Sequence, residues 1–213
     1  QEDLYGLHTI CNIYYDTADS YLIRKSIEKP VYKEKLRLRS YGVPTLDSDV
    51  FLEIKKKYKK VVNKRRIQLT LQEAYDYVEH GIRPEKDSQI LREIDFFLKR
   101  YPLQRGLYLA YDRIALFGVT FDQNIRSRRT LMGLENGSYG VHLLPKGYYL
   151  MESKIMGAAP LWFTEILSEL SIYPVSFSKY GNIYKKENHA FHLEEMMVHR
   201  MENWDEIRRK EIC

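Results

Sequence analysis

Between Tyr32 and Gly42 the chain reads YKEKLRLRSYG, with Lys35, Arg37 and Arg39 alternating with Leu36 and Leu38. A β-strand sends successive side chains to opposite faces, so this segment is predicted to carry one cationic and one aliphatic face. The pattern constrains the fold because it recurs. Glu53, Lys55 and Lys57 share a face opposite Leu52 and Ile54, and Lys64 and Arg66 share one opposite Arg65 and Ile67. Tyr111 and Arg113 are set against Ile114; Asp122, Asn124 and Arg126 against Phe121 and Ile125; Glu152 and Lys154 against Met151, Ser153 and Ile155.

A single charged face is ordinarily the solvated side of an antiparallel sheet. Such a face usually mixes signs, because like charges opposite one another destabilise the pair. Here Arg or Lys recurs from strand to strand and few carboxylates answer. If these faces converge, the field between them is strongly positive. Such a site becomes favourable when an anion of several charges occupies it. The aliphatic faces would then lie outside, beneath helices.

The remaining sequence supplies those helices. Thr70-Leu71-Gln72-Glu73 is a capping box that opens a helix running to about His80, with Gly81 as its stop. Ile90, Leu91, Ile94, Phe97 and Leu98 form the apolar stripe of a second helix, Ser88 to about Arg100. A short helical or irregular piece is expected before Pro30, and APLWFTEILSELSI reads as a helix begun at Pro160. His8–Thr17, the segments near Val50–Lys57 and Asn63–Leu69, GLYLAYDRIALFG, VTFDQNIRSRR and GYYLMESKI read as further strands. Many strands with helices inserted at a few places indicate an α+β fold. Residues 1–213 are expected to form one domain, with a last amphipathic helix at about 189–210 carrying Phe191, Met196, Met197, Met201 and Trp204.

Several function classes fall away. The six histidines show no zinc-ligand spacing. No Walker-type glycine loop is present. The faces opposite the charges are aliphatic and carry no aromatic ladder, which argues against a nucleic-acid platform. No apolar run reaches the length of a membrane span, so no direct membrane insertion is expected. The only cysteines, Cys11 and Cys213, make no disulfide framework, which points to a reducing, cytoplasmic setting.

The segments YYDTADSYLIRKSIEKPVYKEKLRLRSYG, VFLEIKKKY, NKRRIQL, YDRIAL, TFDQNIR, LMESKI and FSKYGNIYKK closely resemble the VTC domain of polyphosphate polymerases, in the triphosphate tunnel metalloenzyme superfamily. The resemblance runs from about His8 to Lys186. It implies a closed antiparallel β-tunnel with a basic interior and helices packed outside. Arg37 and Arg39 match the family's phosphate-binding Arg-x-Arg pair, and Lys55, Lys64, Arg66, Arg113 and Lys154 match further phosphate-contacting positions. Arg126 is a weaker substitute on the TFD strand. Lys179 matches a basic residue at the tunnel end that family members need for activity. Glu152 matches the glutamate that holds a divalent metal, Mn2+ or Mg2+, whereas Glu53 reads as an ion-pair partner inside the tunnel.

The implied reaction is transfer of the γ-phosphate of ATP, or another nucleoside triphosphate, to inorganic polyphosphate, with Arg37, Arg39, Lys55, Arg113 and Lys179 as the catalytic set. A triphosphatase of the same fold and a non-catalytic polyphosphate-binding module are the alternatives. Two departures stand out. The family begins with a strand of Glu-x-Lys type, and nothing before His8 supplies it, so an N-terminal segment is expected to be missing. The family also places a longer loop and a basic residue before the TFD strand, where Gly118-Val119 joins the strands directly.

Overall fold

The computed structural model describes residues 6–188 except 60, 117 and 156. The expected C-terminal helix at 189–210 lies outside the described residues, as does Cys213. The alternating segments all form strands: β1 His8–Thr17, β2 Tyr32–Tyr41, β3 Asp49–Tyr58, β4 Val61–Thr70, β5 Leu103–Leu116 and β6 Val119–Arg128. The short β7 Val141–His142 was not anticipated, and β8 keeps only Leu150–Ser153 of GYYLMESKI. The helices are α1 Tyr21–Ile27, α2 Leu71–His80, α3 Gln89–Arg100, α4 Leu161–Glu169 and α5 Lys179–Glu187. α5 was not foreseen.

The strands make an eight-stranded antiparallel sheet in the order β4-β3-β2-β1-β5-β6-β7, with β8 also paired to β6. β3 turns tightly into β4, since Tyr58 pairs with Val61, and Lys59 takes a positive φ there. β5 turns into β6 equally tightly, with Leu116 opposite Val119 and Gly118 at φ 81. Only glycine adopts that conformation without strain, which explains why the connection there is so short.

The aliphatic faces build the main core. Leu36 and Leu38 of β2, Leu52 and Ile54 of β3 and Cys11 and Ile13 of β1 are essentially inaccessible. They pack with Leu71, Ala74, Tyr75 and Tyr77 of α2 and Leu91, Ile94 and Phe97 of α3. Burying each such leucine or isoleucine stabilises the fold by about 1.5–3 kcal/mol. α2 starts as read from the sequence: the Thr70 hydroxyl accepts from the Glu73 N–H, the Glu73 carboxylate accepts from the Thr70 N–H, and Gly81 closes the helix in a left-handed conformation. Thus α2 and α3 cover the outside of the sheet.

α1 and α5 lie on the other face. Ile23 of α1 and Tyr180 and Ile183 of α5 pack against Ile10, Leu107, Leu109 and Tyr111. Asp16, fully buried at the end of β1, fixes both helices. It accepts hydrogen bonds from the backbone N–H groups of Leu22 and Ile23, so it caps α1, and from the Tyr180 hydroxyl at 2.9 Å, so it ties down α5. Gly106 makes room for this junction, because a Cβ there would stand 2.9 Å from the Asp16 Cβ. No helix among the described residues is long and apolar enough to cross a membrane.

Candidate active site

The cation-bearing faces converge on one cavity of about 620 Å³. β2 contributes Lys33, Lys35, Arg37 and Arg39, and β3 contributes Glu53, Lys55 and Lys57. Lys64 of β4, Tyr111 and Arg113 of β5, Glu152 of β8, Lys154, and Lys179 of α5 also line it. β4 and β8 stand at opposite ends of the paired order, so the sheet must curl for Lys64 and Glu152 to line the same space.

Each arginine of the β2 pair is held through Nε and one terminal nitrogen. The Arg37 Nε donates to Glu53 Oε2 at 2.5 Å and its Nη1 to the Tyr14 hydroxyl at 3.2 Å. The Arg39 Nε donates to Asn12 Oδ1 at 3.0 Å and its Nη2 to the Tyr111 hydroxyl at 3.1 Å. Among the described residues no bond engages Arg37 Nη2 or Arg39 Nη1. A guanidinium braced in this way keeps its fork in a fixed plane, which suits it to phosphate oxygens. Burial alone would push the Glu53 carboxyl up, but Arg37, Arg39 and Lys64 hold it at about 2. Tyr14 likewise is raised by burial, yet Arg37, Lys35 and Arg39 bring its hydroxyl down to about 8.

A second ionic group closes the far side. Arg113 makes a bidentate pair with the fully buried Asp122, at 2.6 and 2.8 Å. Lys179, the first residue of α5, reaches both Asp122 Oδ2 and Glu152 Oε1 at 2.6 Å. Burial lowers the Lys179 ammonium, but Asp122, Tyr111 and Glu152 outweigh it and keep it above the ordinary lysine value. The Glu152 carboxyl, which burial would raise, is lowered by Lys179, Arg113 and Lys154.

The lysines of the remaining wall have no such partners. Lys29, Lys33, Lys35, Lys55 and Lys57 line the cavity without an ion pair among the described residues. Lys33 is depressed by burial and then by Lys57, Lys55 and Lys29. Lys35 is depressed by burial and then, against the opposing effect of Tyr14, by Lys33, Lys55 and Arg37.

Of the residues singled out in the sequence, Arg37, Arg39, Lys55, Lys64, Arg113, Glu152, Lys154 and Lys179 line the cavity. Two lie apart from it. Arg66 sits two residues along β4 from Lys64, exposed, with its guanidinium 4.6 Å from the Phe51 ring centre. Arg126 donates to the Ser138 carbonyl, to the Asn124 carbonyl at 2.8 Å and to Asp112 at 3.1 Å. The reason is a β-bulge: the β5–β6 register shifts between Ala110 and Asp112, and Asn124 takes φ 50. The bulge breaks the alternation that put Asp122 and Arg126 on one face. Asp122 opposes Arg113 while Arg126 opposes Ala110.

Sequence reasoning missed Asn12 and Tyr14, although they alternate with Ile13 on β1 and so carried the face signal. It also missed Asp16 and the pairing of Asp122 with Lys179, which join residues far apart in the chain.

A divalent cation is compatible with Glu152. Its side chain is 47% exposed, in a cavity whose other walls would hold phosphate. Among the described residues no cluster of three or more His, Cys, Asp or Glu could hold a metal unaided. A hard cation here would therefore share Glu152 with phosphate oxygens, the usual arrangement for magnesium or manganese.

Arginines and lysines converging from four strands, a helix and the segments beside them, braced by buried acids, define an α+β protein built around a strongly cationic cavity. The family model of the VTC domain matches residues 3–188, and the chain belongs to that family. No curated protein matches the sequence. Similar solved structures include a candidate adenylate cyclase from Bacillus halodurans, at 19% identity and TM-score 0.47, covering 81% of this chain and 79% of that one. A candidate adenylyl cyclase from Hippeastrum, described as having a dominant triphosphatase activity, is 14% identical with TM-score 0.43 over 96% of this chain and 82% of its own. The PH1819 protein of Pyrococcus horikoshii OT3 is 12% identical with TM-score 0.39 over 85% and 86%.

Proposed function

We propose that this domain transfers the γ-phosphate of ATP, or of another nucleoside triphosphate, to a growing inorganic polyphosphate chain. The observation that carries the proposal is the row of cavity lysines without ion-pair partners beside two braced arginines. Lys33 and Lys35 are held below their ordinary values by burial and by neighbouring cations, so an anion of several charges relieves a cost already present. A lone phosphate would leave most of the row unanswered.

In this reading Arg37 Nη2 and Arg39 Nη1 hold non-bridging oxygens of the donor, and Lys55 and Lys64 fix the next phosphate. Arg113, held in plane by Asp122, faces the transferring group together with Lys179. The terminal oxygen of the acceptor chain attacks the γ-phosphorus, the bond to the β–γ bridging oxygen breaks, and the nucleoside diphosphate leaves. Little covalent chemistry falls to the protein, which supplies alignment and charge neutralisation. A Mn2+ or Mg2+ ion at Glu152 would offset charge on the phosphate oxygens. The cation row of Lys33, Lys35, Lys55 and Lys57 would hold the product chain.

The test is product length. The domain is incubated with ATP and Mn2+, and the products are run on a polyacrylamide gel. A ladder of long polyphosphate, lost in Arg37→Ala/Arg39→Ala, supports transfer to phosphate. Release of inorganic phosphate alone makes the same site a triphosphatase. Tight polyphosphate binding with no turnover makes it a binding module.

A further inference from the structure

We infer that Glu53 is a positioning residue: it sets the orientation of Arg37 and the place of Lys64, and thereby builds the phosphate-facing array. This inference rests on the polyanion reading of the cavity. A carboxylate is out of place in the floor of a site for polyanions, since it repels the ligand. Yet Glu53 is 1% exposed and lies in the middle of the cationic faces, opposite Arg37 on β2 and Arg66 on β4. Its two oxygens are divided: Oε2 lies 2.5 Å from Arg37 Nε and 4.0 Å from Arg39 Nε, and Oε1 lies 2.9 Å from Lys64 Nζ.

The geometry explains why the repulsion is tolerated. Arg37 meets Glu53 through Nε, the nitrogen nearest the backbone, while Tyr14 takes Nη1. The two contacts fix the guanidinium plane and leave Nη2 unengaged. Arg39 is fixed in the same manner by neutral partners, Asn12 and Tyr111, and lies beyond direct hydrogen-bonding reach of Glu53. Without the carboxylate, Arg37 and Lys64 would face each other with only repulsion between them. They would then splay toward solvent, and ordering them again on binding would weaken affinity.

A positioning role and simple charge balance give opposite signs for one substitution. Glu53→Gln makes the cavity more positive by one charge. If Glu53 only offsets charge, the variant binds tripolyphosphate more tightly, with a steeper salt dependence. If Glu53 positions the array, the variant binds about tenfold more weakly despite the added charge. Glu53→Asp, which keeps the charge on a shorter arm, should recover part of the loss.

The experiment is calorimetric titration of tripolyphosphate into the wild-type chain and both variants at two salt concentrations, with thermal melts as the folding control. Equal or tighter binding by folded Glu53→Gln overturns the assignment while leaving the polyanion reading intact. Failure of the wild-type chain to bind tripolyphosphate overturns the polyanion reading and this inference with it. Should Glu53→Gln not fold, arginine side-chain NMR of the wild-type protein decides. The Arg37 Nε–H resonance should exchange slowly with solvent and stay in place on adding tripolyphosphate while the terminal nitrogens shift. An Nε–H that exchanges fast, or that moves as far as the terminal nitrogens, overturns it.

Discussion

Replacing Asp122 by alanine should expose how strongly the far side of the cavity depends on one buried carboxylate. Asp122 is fully buried, and its partners Arg113 and Lys179 have side chains only 16% and 10% exposed. It accepts from Arg113 at 2.6 and 2.8 Å and pairs with Lys179 at 2.6 Å. Removing it leaves two largely desolvated cations without that partner, and Glu152 remains for Lys179 alone at close range. Breaking a buried pair by deleting one member costs about 3–5 kcal/mol. For a chain of this size each kcal/mol moves the melting temperature by about 2–4 °C, so Tm should fall by about 10 °C. Calorimetry on wild type, Asp122→Ala, Lys179→Met and the double variant forms a cycle. Because the two side chains touch, the double variant should lose at least about 1 kcal/mol less than the sum of the single losses. A drop below about 3 °C for Asp122→Ala, or strict additivity, would refute the view that Asp122 braces Lys179 and Arg113.

Four further outcomes follow from particular contacts. Glu53 has its folded value depressed to about 2 from 4.5, so its stabilisation is complete above about pH 4.5 and is lost as pH falls toward 2. Acid unfolding of Glu53→Gln, followed by circular dichroism, should therefore be shallower than that of wild type over this window. Arg128 stacks 3.4 Å from the Tyr108 ring centre and donates to the carbonyls of Leu131, Tyr139 and Gly133. Arg128→Ala should cost about 3 kcal/mol in a urea melt and leave tripolyphosphate affinity unchanged. Thr70→Ala removes the α2 capping box and should cost about 1 kcal/mol in the same assay. Lys64→Ala should weaken tripolyphosphate binding more than Arg66→Ala, because Lys64 lines the cavity and Arg66 lies over Phe51.

What the sequence disclosed was periodicity. Alternation along β2, β3 and β4 placed Arg37, Lys55 and Lys64 on one face and Leu38, Ile54 and Ile67 on the other, and these strands are regular in pairing. The Thr70–Glu73 capping box is a local signal and read directly as the start of α2. What the sequence hid depended on departures from periodicity or on contacts between distant residues. The bulge at Asn124 shifts the register by a step and sends Arg126 away from the face expected for it. Asp16 looked like the end of a strand, yet it caps α1 and holds Tyr180, 164 residues further along. α5 went unread because KYGNIYKKE carries a glycine and mostly polar residues; its ordering comes from the Ser178 cap and from tertiary anchors. Lys179 itself was picked out by resemblance, while its carboxylate partners emerged only from the folded arrangement.

The most direct test of the central claim is a crystal structure of the domain with tripolyphosphate and Mn2+, using the anomalous signal of manganese. Phosphate oxygens should lie at Arg37 Nη2 and Arg39 Nη1, with the chain extending along Lys55 and Lys35. A manganese peak should share Glu152 with phosphate. Tripolyphosphate seated elsewhere on the protein, with Arg37 and Arg39 uncontacted, would contradict the claim.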